Sequence, residues 1–118
     1  MEIYYSEGSA RPESRYLEFY SLGRPVYSVN AFVEQAQDGF KWIKAQLPVG
    51  RWDKGAIVDA LIRVKYSSDE MEAIHNNYLE ALAKADTLGK AIEEFAEMQE
   101  WRKQCKQEAE RIMGEVRS

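Results

Sequence analysis

The apolar positions of this 118-residue chain change their period near Pro48. Before it, aromatic and β-branched residues alternate with polar ones in short runs. After it, apolar residues recur every three or four positions within sequence rich in Ala, Glu, Lys, Gln and Met. A period of two marks a half-buried strand, and steps of three and four mark one face of a helix. Of the 14 Phe, Tyr and Trp residues, 10 lie at or before Trp52, and these suit a pleated surface, whereas the later residues are strong helix formers. Strands followed by helices predict an α+β domain: an N-terminal antiparallel β-meander or hairpin followed by three helices, the last one long. The length fits a single domain over 1–118, with a leader at 1–13, a β part at 14–48 and a helical part at 53–117.

Within the leader, a weak strand signal at residues 2–5 precedes a turn-rich segment in which Pro12 pushes Arg11 toward extended geometry. Residues 15–21 alternate as a half-buried strand, Leu22-Gly23-Arg24-Pro25 supplies a turn, and residues 26–33 follow as β-branched and aromatic sequence. The next stretch reads two ways. Phe32, Ala36, Phe40, Ile43 and Leu47 fall at helical spacing between Asn30, a possible N-cap, and Pro48, a stop. Asp38-Gly39, flanked by apolar runs, is instead a strong hairpin signal, and a mid-helix Gly costs about 1 kcal/mol relative to Ala. The preferred reading over 26–47 is the hairpin, with a type I′ turn at Asp38-Gly39.

The helical part is marked at its boundaries. Asp53 caps a helix carrying Ile57, Leu61 and Val64 and ending near Tyr66, while Ser67 and Glu70 have the spacing of a capping box. The second helix shows Met71, Ile74, Tyr78 and Ala81 on one face before the pattern breaks over 84–89. From about Lys90, a last helix places Ile92, Phe95, Met98, Trp101, Cys105, Ala109, Ile112 and Val116 on one stripe. That stripe spans about 36 Å at ~1.5 Å per residue, against ~17–20 Å for a typical strand.

Composition removes several classes of function. With 45% apolar and 31% charged residues the chain reads as a soluble globular protein, and no apolar run approaches the ~18 residues of a membrane span. Its first residues, Met1-Glu2-Ile3-Tyr4-Tyr5, lack the basic-then-apolar layout of a signal peptide, so the cytosol is the expected location. A net charge of −4 with no basic stripe argues against binding through nucleic-acid phosphates. The lone Cys105 cannot form an internal disulfide and reads as a small buried apolar residue.

Candidate chemistry is sparse. Glu72 and His75 form the Glu-x-x-His pair of di-iron helical bundles, but such a centre needs two pairs and further carboxylates, and His75 is the only histidine. Ser67, His75 and Asp69 lack the strained nucleophile turn that acyl transfer would require. Glu93-Glu94 and Glu108/Glu110 lie beside Lys and Arg in the last helix, where a solvated face is expected. The helical pair over 54–82 has the outline of a DNA-reading unit, yet its second helix carries Asp69, Glu70, Glu72 and Glu80 with no Lys or Arg before Lys84. No glycine-rich phosphate loop is present, and neither catalysis nor a cofactor or metal is expected.

The runs over 56–67 (Ala-Ile-Val-Asp-Ala-Leu-Ile-Arg-Val-Lys-Tyr-Ser) and 72–79 (Glu-Ala-Ile-His-Asn-Asn-Tyr-Leu), together with the Arg-Pro-Glu of residues 11–13 and the close at 97–104 (Glu-Met-Gln-Glu-Trp-Arg-Lys-Gln), resemble small phage- and prophage-associated proteins of gut Bacteroidetes. That group has no assigned activity. The resemblance implies strands over 26–47 and a mobile-element or virion context. The expected function is therefore non-enzymatic interaction or assembly, with a protein partner or a second copy bound through the last helix. A small meander with two short helices should leave part of its stripe uncovered, which makes Trp101, Ile112 and Met113 the candidate partner-binding residues. The alternatives are a regulatory or anti-host factor using the 54–82 pair, and an enzyme with an unrecognised site.

Overall fold

The computed structural model describes residues 5–84 and 89–117. Four antiparallel strands precede three helices, the last of them long. The strands are β1 (Ser6–Gly8), β2 (Arg15–Ser21), β3 (Arg24–Ala36) and β4 (Gly39–Gln46), in the order β1-β4-β3-β2. The expected strand at residues 2–5 lies outside the described residues except for Tyr5, which is not in a strand.

Two tight turns set this sheet, and the type I′ geometry sits in the first of them. Between β2 and β3, Leu22 and Gly23 both have positive φ, 52° and 79°, the pattern whose twist matches flanking strands. The second hairpin is also present, which removes the helical alternative for residues 30–47. Its turn is one residue earlier than expected: Ala36 pairs with Gly39, so Gln37 and Asp38 make the turn and neither has positive φ. Gly39 instead opens β4 in near-extended backbone, and its missing side chain serves close approach, because a Cβ there would strike the carbonyl oxygen of Gly8 in β1.

Between Gly8 at one edge and Arg15 at the other, residues 9–14 carry the chain across the sheet. The side-chain amide of Asn30 donates to the Glu13 carbonyl at 2.7 Å, and the Asn30 N–H donates to the Ser14 carbonyl at 3.0 Å. This strap crosses one face, above Asn30, Trp42 and Lys44.

The opposite face carries the helices α1 (Lys54–Lys65), α2 (Ser68–Ala83) and α3 (Lys90–Arg117). Local sequence fixes their ends. Asp53 accepts a hydrogen bond from the Ala56 N–H at 2.8 Å, and Ser67 and Glu70 form a reciprocal capping box. The α1 helix packs on β4 and α3, and α3 also packs on β3. Val29, Ala31, Ile43, Ala45 and Leu47 of the β part meet Ile57 and Leu61 of α1 and Trp101, Cys105, Ala109 and Ile112 of α3 in one core. Each fully buried aliphatic side chain there contributes about 1.5–3 kcal/mol.

The α2 helix packs mainly against the first part of α3, away from the sheet, with Tyr78 stacked on Phe95 at 3.9 Å between ring centroids. Of its expected inner face, Ala81 is buried and Met71, Ile74 and Tyr78 are half-buried. The resulting helical hairpin draws the molecule out. Its radius of gyration is 16.8 Å, against about 13–14 Å for a compact domain of this length. Among the described residues no helix is long and apolar enough to cross a membrane.

Candidate functional site

Two of the three residues expected to meet a partner are inside the molecule. Ile112 is fully buried, and Trp101 is 8% exposed. Met113 is half-buried against the same core. Three neighbours share the stripe of α3, which is why its length does not leave it uncovered. Near the start, Phe95 meets Tyr78 and His75 of α2; in the middle and toward the end, Met98, Trp101, Cys105, Ala109 and Ile112 face α1 and the sheet. Trp101 packs against Phe32 with ring centroids 5.2 Å apart, under the Lys65 ammonium at 5.4 Å. Its indole N–H is buried with no hydrogen-bond acceptor among the described residues.

The uncovered apolar surface lies elsewhere. Among the described residues, five of the nine exposed large apolar side chains fall within residues 16–22: Tyr16, Leu17, Phe19, Tyr20 and Leu22. Four belong to β2, an edge strand, and the fifth, 100% exposed, is at the tip of its turn. A bulge decides which way they point. Leu17 pairs with Tyr27 and Phe19 with Val26, so Glu18 is the extra residue. Paired residues of an antiparallel ladder share a face. Arg15, Leu17 and Tyr20 therefore stand on the helix side with Val29, Tyr27 and Pro25, while Tyr16 and Phe19 stand on the strap side with Ser28 and Val26. The edge strand is thus apolar on both sides, the composition of a strand covered on both faces.

Charge on this strand is mostly satisfied within the chain. Glu18 pairs with Lys44 and accepts from the Ser28 hydroxyl at 2.8 Å, and these two contacts hold its carboxyl below the ordinary value. The Arg15 guanidinium lies over the rings of Tyr27 and Trp52 at 4.9 and 5.0 Å. Beside the strand, Tyr16, Glu18, Asn30, Trp42 and Lys44 form the floor of an open groove of about 640 Å³ whose wall is the strap at Ala10, Arg11, Pro12 and Glu13. Aromatic rings and paired charges suit contact with another chain.

The remaining candidate chemistry is dispersed. Glu72 and His75 are both exposed, with the His75 ring against Phe95 at 6.0 Å, and among the described residues no group of three or more His, Cys, Asp or Glu could hold a metal ion. The Ser67 hydroxyl is committed to the capping box. Burial, with Glu108 nearby, pushes the Cys105 thiol up to about 12, which leaves it inert.

Glu108 departs from its expected place on a solvated face. The second irregularity of the sheet lies in β3, where Ala31 pairs with Ile43 and Glu34 with Lys41, leaving two residues opposite Trp42. Phe32 takes a positive φ of 52° there, and its N–H donates to Glu108 at 2.5 Å. Burial pushes the Glu108 carboxyl up, but Arg111 and the Phe32 N–H outweigh it and hold the group below its ordinary value. A helix carboxylate thus clamps the bend of the central strand.

No family model, no curated protein and no solved structure matches this chain.

Proposed function

We propose that this chain is a non-enzymatic interaction protein and that β2, with its turn at Leu22-Gly23, is the element that docks. The α3 helix is then the brace that holds the sheet in shape. The observation that carries the reading is the clustering of Tyr16, Leu17, Phe19, Tyr20 and Leu22 on an unpaired edge. Exposed edges bearing apolar residues pair readily with other chains, and proteins blunt them with Lys, Pro or a bulge; β2 has neither Lys nor Pro, and its bulge at Glu18 leaves Tyr16, Leu17, Phe19 and Tyr20 exposed. Its only charges are Arg15 and Glu18, and both are engaged by groups of the same molecule. Leu22 adds a second sign of the same kind. A left-handed residue other than Gly costs roughly 1–2 kcal/mol, and a fully exposed Leu recovers none of that by burial within the chain.

Replacing Leu17 and Tyr20 together by Lys tests the reading, by sedimentation of the purified protein and affinity capture from lysates, with thermal melting as the check on folding. The expected result is association in the wild type and its loss in the variant at similar melting temperature. Association that survives the double substitution, or a wild type that associates with nothing, would overturn it.

A further inference from the structure

We infer that the partner of β2 is the β2 strand of a second copy, paired antiparallel about a two-fold axis at Leu17; this rests on the reading of β2 as the docking element. Self-complementarity of the strand argues for it. Without a bulge, the alternation of faces would put Phe19 on the helix side and Tyr20 on the strap side. The extra residue at Glu18 resets that order, so that outward from Leu17, with bulged Glu18 itself left out of the ladder, the faces follow in the same order in both directions: Tyr16 and Phe19 on the strap side, then Arg15 and Tyr20 on the helix side.

An antiparallel pair centred on Leu17 places Leu17 against its own copy, Tyr16 against Phe19 of the second copy, and Arg15 against Tyr20. Aromatic pairs across strands are among the favourable cross-strand contacts. A guanidinium beside a tyrosine ring adds a cation–π contact, and Arg15 already makes two such contacts at 4.9 and 5.0 Å within its own chain. The charges also select the direction. A parallel pair would set Arg15 against Arg15, whereas the antiparallel pair puts the two guanidinium groups at opposite ends. Glu18 brings no net repulsion, because Lys44 neutralises it in each copy.

The exposed parts of Tyr16, Phe19 and Tyr20 amount to roughly 330 Å² at ~200 Å² per aromatic side chain. A standard interface buries about 800 Å² per partner. Leu17, Leu22, the strand backbone and the groove rim at Arg11 and Pro12 supply the remainder, which places this dimer at the small end of stable interfaces. It would join two sheets into one of eight strands with no apolar edge at the seam.

Disulfide trapping reads out both partner and register. Directly opposed residues of an antiparallel ladder have Cα atoms about 4.5–5.5 Å apart, within the reach of a disulfide. The native Cys105 stays in place, since it is buried. Under mild oxidation the Leu17→Cys protein should form a covalent dimer. A mixture of Tyr16→Cys and Phe19→Cys proteins should form the mixed dimer at least tenfold faster than either forms its own, and Val49→Cys, exposed but away from the strand, should remain monomeric. Melting curves confirm that each variant is folded. A wild-type chain that stays monomeric at millimolar concentration, or Leu17→Cys cross-linking no faster than Val49→Cys, would overturn the two-fold pairing. If such a monomer nevertheless captures another protein through β2, the interaction reading stands and only the second copy is wrong; if it captures nothing, both fall.

Discussion

The α3 helix and the β2 strand are both rich in apolar residues, and the molecule treats them oppositely. The stripe of α3 runs the length of the helix and is covered by α2, α1 and the sheet in succession. The strand is 7 residues long and, among the described residues, has a neighbour on one side only. Apolar length therefore says little about what a chain offers to a partner. What matters is whether other elements reach it. Elements packed in the middle of a fold can carry long stripes and still present almost nothing, while a short strand at the edge of a sheet presents both its faces and its backbone.

The sharpest way to break this comparison is to cut into each region in turn. Ile112→Ala should cost about 2–5 kcal/mol as a cavity in a packed core, lowering the melting temperature by roughly 4 °C for each kcal/mol. Tyr20→Ser, on a side chain 64% exposed, should stay within about 0.5 kcal/mol. Similar losses from both, by denaturant titration, would contradict the division between core and edge.

Glu108 tests how firmly α3 is tied to the sheet. Glu108→Ala leaves the Phe32 N–H without its acceptor and should cost about 1–3 kcal/mol. Because the folded carboxyl sits below its ordinary value of 4.5, its contribution is full above that pH and is lost as the pH falls through the folded value. Glu108→Gln should accordingly flatten the acid limb of the stability curve. An unchanged acid limb would show that the clamp is not what holds the bulge.

The smallest effect comes from the tip of β2. Asn tolerates left-handed backbone better than Leu does, so Leu22→Asn should raise stability by roughly 0.5–1 kcal/mol while weakening association. A variant that gains stability and binds as well as the wild type would remove Leu22 from the docking surface.

The legible parts of this fold are those whose cause is local. The Asp53 cap and the box of Ser67 and Glu70 lie within three or four residues of the helices they begin, and strand 15–21 forms where it was expected, although it is bulged and exposed on both faces rather than half-buried. Both hairpins were also readable, but not their turn chemistry. Asp-Gly signals a type I′ turn, yet the pairing of Ala36 with Gly39 places the turn one residue earlier, while Leu22-Gly23 takes the geometry without the residue that usually announces it. The bend in β3 depends on a carboxylate 76 residues away, and no local pattern reports such a partner. The exposure expected of the α3 stripe failed for the same reason. Counting apolar positions on α3 finds the stripe at Trp101 and Ile112, but its cover comes from β3 and α1, distant in sequence; the exposure of Tyr16, Phe19 and Tyr20 depends on β2 lying at an edge, which strand order alone decides.

Hydroxyl-radical footprinting at low and high protein concentration, with rates normalised to the intrinsic reactivity of each residue type, tests that placement most directly. At low concentration Tyr16, Phe19, Tyr20 and Leu22 should be labelled rapidly, and Trp101 and Ile112 should be protected. At high concentration labelling should fall on Tyr16, Phe19 and Tyr20 while Trp101 and Ile112 stay as they were. Trp101 and Ile112 labelled as fast as Tyr20 in the dilute protein, with concentration-dependent protection on α3 and none on β2, would contradict the account and return the docking surface to the helix.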